Sequence, residues 1–300
     1  MNVISCKGLT KQYGLKRALH DVSFTITENK ITGLIGRNGA GKTTLLQILA
    51  GHIHHSSGEV NVFGENPFNS LKVSTNMIFI DDSMNLPPSL SLIEILETAR
   101  SFYPNWDMEL AERLLDYFSF SPDMSHSGLS KGMRSTFNMI LGLAARCPLT
   151  IFDEPTTGMD SSVRKDFYRA LLKDFIEHPR TIILSSHLLG EVENLLEDIL
   201  LIKEGEKVFH MAVPELKEFA IGIRGSDELV TKWTKNKNVL SRQKISDHVS
   251  YVVIENDLTD SDTQEMRRLG LNLSAVELDD LCSYLTSKTK GGIDDVFNRN

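Results

Sequence analysis

The segment Gly36-Arg37-Asn38-Gly39-Ala40-Gly41-Lys42-Thr43 constrains this chain more than any other. It fits the pattern G-x-x-x-x-G-K-[ST] and stands between an apolar strand-type run, Ile31 to Ile35, and a helical run, Lys42 to Ala50. Glycines let the backbone curl until successive N–H groups converge, and the following helix adds the positive end of its dipole at the same point. Such a loop suits phosphate. Lys42 is placed to neutralise the outer phosphates of a nucleotide, and the Thr43 hydroxyl to ligate the Mg²⁺ that accompanies them. Gly36, Asn38, Gly39, Ala40, Gly41 and Thr44 complete the expected cradle.

The positive field has to be local, because 32 Lys+Arg stand against 40 Asp+Glu, a net charge of −8. An acidic surface argues against a protein that coats nucleic acid or anionic lipid. Further along, the apolar run Leu149 to Phe152 ends in Asp153-Glu154. A buried strand that delivers adjacent acids to the carboxyl edge of a parallel sheet puts them where ligands bind in such folds. Asp153 suits Mg²⁺, directly or through water, and Glu154 can orient or deprotonate a water that attacks the outermost phosphate. A third run, Thr181 to Leu184, leads through Ser185-Ser186 to His187, which can donate to that phosphate or contact the water. In isolation the acid pair is a solvated turn and the histidine a surface residue; the phosphate loop upstream promotes both.

Strand-type runs at Ala18 to Ile26, Ile31 to Ile35 and Val60 to Phe63 make the first part of the chain α/β. Between residues 87 and 146 the apolar spacing turns helical, with Leu92, Ile95, Leu96 and Ala99, then Leu110, Leu114, Leu115 and Phe118, then Phe137, Ile140, Leu141 and Ala144. The parallel sheet resumes at Leu149, with a crossover helix expected over Ser161 to Ile176. Beyond Glu204-Gly205-Glu206 the chain is more charged, with strands expected at Ala220 to Ile223 and Val249 to Ile254 and helices near Glu228 to Lys235 and Glu277 to Thr286. A boundary near residue 212 separates a nucleotide-binding domain, 1–211, from an accessory domain, 212–300. Cys6, Cys147 and Cys282 lie far apart with no CxxC, so neither a disulfide framework nor a zinc site is expected. No run approaches the roughly 18 apolar residues of a membrane span, so a cytosolic home is expected, and any work at a membrane would need a second chain that crosses it.

The order and spacing of these segments resemble the ATP-binding cassette (ABC) ATPases. Leu129-Ser130-Lys131-Gly132-Met133-Arg134 is similar to that family's LSGGQ signature and makes the resemblance specific. The resemblance covers residues 1 to about 211. It implies an α/β P-loop NTPase, an ABC cassette with an inserted helical subdomain and a small C-terminal α+β accessory domain. It further implies that Ser130, Gly132 and Met133 reach across a dimer interface to ATP held by a second ABC subunit, in a homodimer or a heterodimer. Asp160, in Gly158-Met159-Asp160, resembles the D-loop acid. Tyr13, in Lys11-Gln12-Tyr13-Gly14, resembles the aromatic that stacks on adenine, where without the family it would read as strand packing. The implied protein binds ATP and Mg²⁺ and hydrolyses ATP with Glu154, His187 and Lys42. It powers a separate transmembrane permease subunit, and it sits in the cytoplasm at the inner face of the membrane through that partner alone. No direct contact with nucleic acid is expected.

Two departures matter. Lys131 and Met133 replace Gly and Gln of the strict signature, a variant that resembles ATPase subunits of small two-component exporters, antibiotic-resistance types among them. Tyr103-Pro104-Asn105-Trp106-Asp107 resembles the same branch and reads as a turn, with Asp107 near a helix start and Trp106 buried. The second departure is the family's glutamine after the next strand, missing from Met77-Ile78-Phe79-Ile80-Asp81-Asp82-Ser83. Asp82 is the expected occupant, keeping a metal role as a hard oxygen ligand. His52, His54 and His55 read as a solvated turn. One rival reading is a non-transport ABC protein acting on nucleic acid or ribosomes, which typically carries two cassettes or a long coiled-coil insertion, neither visible in this sequence. Another is a weakly hydrolysing regulatory module, which the missing glutamine allows and Glu154 and His187 oppose.

Overall fold

Residues 1–187 and 189–287 are described by the computed structural model. The chain forms two compact units, Met1–Met211 and Ala212–Asn300; residues 288–300 of the expected accessory domain lie outside the described residues. In the first unit, β1 (Asn2–Tyr13) pairs antiparallel with β2 (Lys16–Thr27) on one side and with β4 (Ser57–Val62) on the other. Period-two alternation buries Ile4, Cys6, Val22, Phe24, Ile26, Val60 and Val62 in one core.

The second sheet of this unit runs in the order β5 (Met77–Ile80), β6 (Leu149–Asp153), β7 (Thr181–Ser186), β3 (Ile31–Ile35), β8 (Asp198–Lys203), β9 (Glu206–Ala212). Pairings from β5 through β8 are parallel. Every residue of β3, β6 and β7 is buried, as expected of parallel strands covered on both faces. The turn from β8 to β9 has positive φ at both Glu204 (50°) and Gly205 (84°), the type I′ geometry that suits a two-residue hairpin. The connections carry α1 (Lys42–Leu49), α2 (Leu71–Thr75), α6 (Ser161–Glu177) and α7 (Leu189–Val192).

The helical insertion holds α3 (Leu92–Arg100), α4 (Met108–Tyr117) and α5 (Lys131–Ala144). A side-chain oxygen fixes the start of each. Ser91 forms a capping box with Glu94, Asp107 accepts the N–H of Leu110, and Ser130 accepts that of Met133. Helix α5 is buried at every position from Ser135 to Ala144. Arg146 then ties the insertion to α6, pairing with Asp107 at 2.8 Å and Asp174 at 2.9 Å. The expected burial of Trp106 is corrected to half-burial: it precedes the Asp107 cap at the rim of the insertion, where it stacks against Tyr103 and its Nε1 reaches Met108 Sδ.

The second unit contains α8 (Val213–Glu218), β10 (Ala220–Ser226), α9 (Asp227–Thr234), β11 (Val239–Ser246), β12 (Val249–Glu255), α10 (Asp260–Arg268), β13 (Asn272–Ala275) and α11 (Leu278–Thr286). Its antiparallel sheet has the order β11-β12-β10-β13. The β10–α9–β11–β12–α10–β13 succession is a βαββαβ arrangement of ferredoxin-like type. Ile223, Val230, Val252, Ile254, Met266 and Leu271 form its core. The three cysteines are buried, and burial pushes each thiol up to about 12, which makes them inert packing groups.

Candidate nucleotide-binding site

Parallel register explains how distant residues meet. Ile35 stands opposite Ser186, Ser185 opposite Asp153, and Phe152 opposite Ile80, so β3, β7, β6 and β5 all end on one edge. The phosphate loop leaves that edge from β3. A Cβ on Gly36 would lie 2.4 Å from the Ile202 carbonyl oxygen, and one on Gly41, whose φ is +109°, 2.5 Å from that of Ala18. These glycines let the loop press against the strands beneath it. At Gly39 a Cβ would meet nothing within 4 Å, so the loop's mouth is clear.

Helix α1 starts with no side-chain cap and no acid in its first turn. The N–H groups of its first turn therefore have neither an intrahelical partner nor a capping side chain, and the loop collects them at one point. Lys42 is buried; its Nζ donates to the Gly36 carbonyl at 2.7 Å and lies 3.1 Å from Glu154 Oε1. That contact is close but poorly directed, since Glu154 Oε1 is buried without a hydrogen bond. The other carboxylate oxygen, Oε2, meets His187 Nδ1 at 2.5 Å. Glu154 sits at φ 48°, a strained left-handed conformation at the end of β6. Its N–H donates to Ser185 Oγ at 2.9 Å, and that hydroxyl in turn donates to Asp153 Oδ1 at 2.5 Å. Burial pushes the Asp153 carboxyl above its ordinary range, against hydrogen bonds from Ser185 and Thr43 that favour the ionised form.

The fold thus brings Lys42, Thr43, Asp153, Glu154 and His187 into one cluster. Ser185, which orders both acids, went unread in the sequence; its signal was a hydroxyl residue at a strand position whose register is wholly buried. A second cluster forms where α5 and α6 begin. Ser130 caps α5 and keeps its own hydroxyl proton to donate elsewhere. A Cβ on Gly132 would lie 2.4 Å from the Gly158 carbonyl, so the turn before Asp160 packs directly on the first turn of α5. Asp160 is exposed at the start of α6 and forms no cap bond there. Tyr13 is 48% exposed at the end of β1, with Lys11 Nζ 4.7 Å from its ring centroid. Asp82 is half-exposed and pairs with Lys131 Nζ at 3.5 Å.

The family profile described as ABC transporter matches residues 19–157. An uncharacterized ABC transporter ATP-binding protein of Methanocaldococcus jannaschii is 30% identical over 219 residues, which cover 71% of this chain and 79% of that one. The chain belongs to the ATP-binding proteins of ABC transporters. The ABC transporter ATP-binding protein YtrB of Bacillus subtilis is 29% identical over 222 residues, 74% of this chain and 76% of its own length. The bacitracin transport ATP-binding protein BcrA of Bacillus licheniformis is 29% identical over 219 residues, 72% of each chain. The fold is shared with the solved dimeric structure of a bacterial ABC transporter cassette, at a TM-score of 0.62 and 24% identity over 70% of this chain and 98% of that one. The ABC subunit described here is accordingly an ATPase of the ABC-transporter type. No helix among the described residues is long and apolar enough to cross a membrane itself.

The donor set fits the nucleotide and its metal. An uncapped helix start, an open Gly39 and a buried lysine suit phosphate. Among the described residues no group of three or more His, Cys, Asp or Glu could hold a metal alone. A buried carboxylate bonded to the Thr43 hydroxyl instead suits Mg²⁺, which takes few protein ligands and completes its shell with phosphate oxygens and water.

Proposed function

We propose that this ABC ATPase is the nucleotide-binding subunit of an exporter, and that two copies close on two MgATP molecules, hydrolyse them and reopen beneath a separate permease. The observation that carries the hydrolytic reading is Glu154, held between Lys42 and His187 with one oxygen lacking a directed hydrogen bond. Phosphate entering the loop would draw Lys42 away from Glu154 Oε1. That oxygen is then left to accept a proton from the attacking water, while the His187 contact keeps the carboxylate turned the right way. Thr43 and Asp153 would hold Mg²⁺, which when bound supplies charge neutralisation between the β- and γ-phosphates. The Ser130 hydroxyl, the start of α5 and Asp160 would meet the ATP of the partner copy, and Tyr13 its adenine. Both halves of the site are intact in one chain, so a homodimer suffices.

The export direction rests on the Lys131-Gly132-Met133 variant and on relatives named for bacitracin transport and Nod factor export. The permease has a place to dock: a groove of about 780 Å³ lined by Gln47, His52, Leu71, Phe79, Ser83 and Tyr103, with Leu71 and Phe102 exposed on the same unit. Work through such a partner places the chain in the cytoplasm at the inner membrane face. The deciding experiment is Glu154→Gln. It should bind ATP within about twofold of the parent and retain ATP-driven dimerisation, while turnover falls by roughly 10²–10⁴, the usual share of a general base. Hydrolysis at the parental rate would remove Glu154 as the base.

A further inference from the structure

Helix α5 meets the catalytic edge along a single stripe. Lys131, Ser135, Asn138 and Gly142 fall at i, i+4, i+7 and i+11, one face of the helix. Gly142 lets the helix lie against Phe152 and Ile80, the last apolar residues of β6 and β5. Ser135 Oγ donates to the Thr157 carbonyl at 2.9 Å, in the loop after Glu154. Asn138 Nδ2 donates to the Asp81 carbonyl at 3.2 Å, and Lys131 pairs with Asp82 at 3.5 Å. The helix that begins with Ser130 therefore holds main-chain groups of the segments that leave both β5 and β6.

Asn138 is the most deeply buried polar member of this set, 1% exposed. Its Nδ2 donates to Asp81, which leaves Oδ1 to accept from His126 Nε2 at 2.9 Å. His126 is 4% exposed, and burial holds its pKa below the ordinary value, so the neutral ring carries its proton on Nε2. The Asp81 side chain is engaged elsewhere, accepting from the N–H and hydroxyl of Ser83. The link to α5 thus runs through the Asp81 backbone. Asp81 and Ser83 also line the 780 Å³ groove.

We propose that Asn138, oriented by His126, is a positioning residue that carries displacement of the 81–83 segment into α5, and so sets how readily ATP closes two copies of this chain. The proposal rests on reading Ser130 to Met133 as the trans-acting signature. In this chain the segment has no glutamine, and a buried amide on α5 takes hold of it instead. The exposed Lys131–Asp82 pair, screened by solvent, is a weak outer contact beside a firm inner one.

The test uses the full chain in the Glu154→Gln background, where ATP-bound dimers should accumulate. Asn138→Ala should leave binding of ATP to the monomer within about twofold and weaken MgATP-driven dimerisation at least tenfold by analytical ultracentrifugation. With Glu154 intact, kcat should fall at least fivefold with the monomer's ATP affinity unchanged. His126→Gln, which keeps a donor near the Nε2 position, should dimerise like the parent, whereas His126→Phe, which keeps the ring but loses the donor, should behave like Asn138→Ala. That pair decides the matter even if Asn138→Ala fails to fold. Parental dimerisation of both Asn138→Ala and His126→Phe, or equal loss in His126→Gln and His126→Phe, overturns the positioning role. If Glu154→Gln alone does not dimerise with MgATP, the signature reading itself fails and the proposal falls with it.

Discussion

At the scale of the residue, Asp153 illustrates how a binding site is kept at the expense of the empty protein. Its carboxyl is almost wholly buried, and desolvation raises its pKa. A group with a raised folded-state pKa contributes stability that is full below the unfolded value and is lost as pH rises through the folded one. At neutral pH the ionised Asp153 is therefore a net cost to the nucleotide-free chain. Asp153→Asn, which keeps an acceptor for the Ser185 hydroxyl, should raise the melting temperature of the nucleotide-free protein by about 2–4 °C for each kcal/mol recovered. It should also flatten the acid-side gain in stability and abolish the extra stabilisation by Mg²⁺ over ATP alone. Differential scanning calorimetry across pH 4 to 8, with and without MgATP, reads all three, and an unchanged or lower melting temperature in the empty variant contradicts the argument. Much of this cluster was legible in the sequence because the phosphate loop is contiguous and each acid or histidine ends an apolar run. Ser185 was not, since a serine that joins Asp153 to the Glu154 backbone looks like any other serine until β6 and β7 are set in register.

At the scale of the element, close approach governs α5. A Cβ on Gly142 would lie 2.6 Å from Phe152 Cε1, and that ring is fully buried and packed edge-on against Phe167 at 5.6 Å. Alanine gains about 1 kcal/mol in helix propensity over glycine. Overpacking a closed core costs about 1–3 kcal/mol. Gly142→Ala should therefore be net destabilising by up to about 2 kcal/mol in urea unfolding; a stabilised variant would show that α5 sits less tightly than its contacts imply. The elements read correctly from the sequence were those with two-sided burial or a full apolar stripe, such as β3, β6, β7 and α5. Strand β8 was missed although five of its six residues are buried; several others that were missed had little of either. Strand β1 carries several register shifts that break its alternation, and β11 is an edge strand exposed along most of its length. Helix α10 buries only Met266, so no apolar period marks it.

At the scale of the whole molecule, charge sets the conditions under which two copies can close. Each chain carries a net charge of −8. The cassette itself holds 20 Lys+Arg against 25 Asp+Glu, a charge of −5, and two such charges about 30 Å apart, roughly twice the radius of gyration of a cassette this size, repel by about 1.3 kcal/mol at 0.01 M ionic strength. At 0.15 M, where the Debye length is about 8 Å, the same repulsion falls to about 0.1 kcal/mol. Of the positive groups of the site, Lys42 is buried, and it and the start of α1 act over a few ångströms, so they are screened far less than the surface as a whole. Salt should thus relieve repulsion faster than it weakens the grip on ATP. MgATP-driven dimerisation of Glu154→Gln should tighten by roughly fivefold to tenfold between those two ionic strengths, while ATP affinity of the monomer changes by no more than about threefold. Sedimentation at the two salt concentrations measures the first and titration with a fluorescent nucleotide the second. Dimers that loosen as salt is added would mean that complementary charges at the interface, and not the net charge of the chains, control closure.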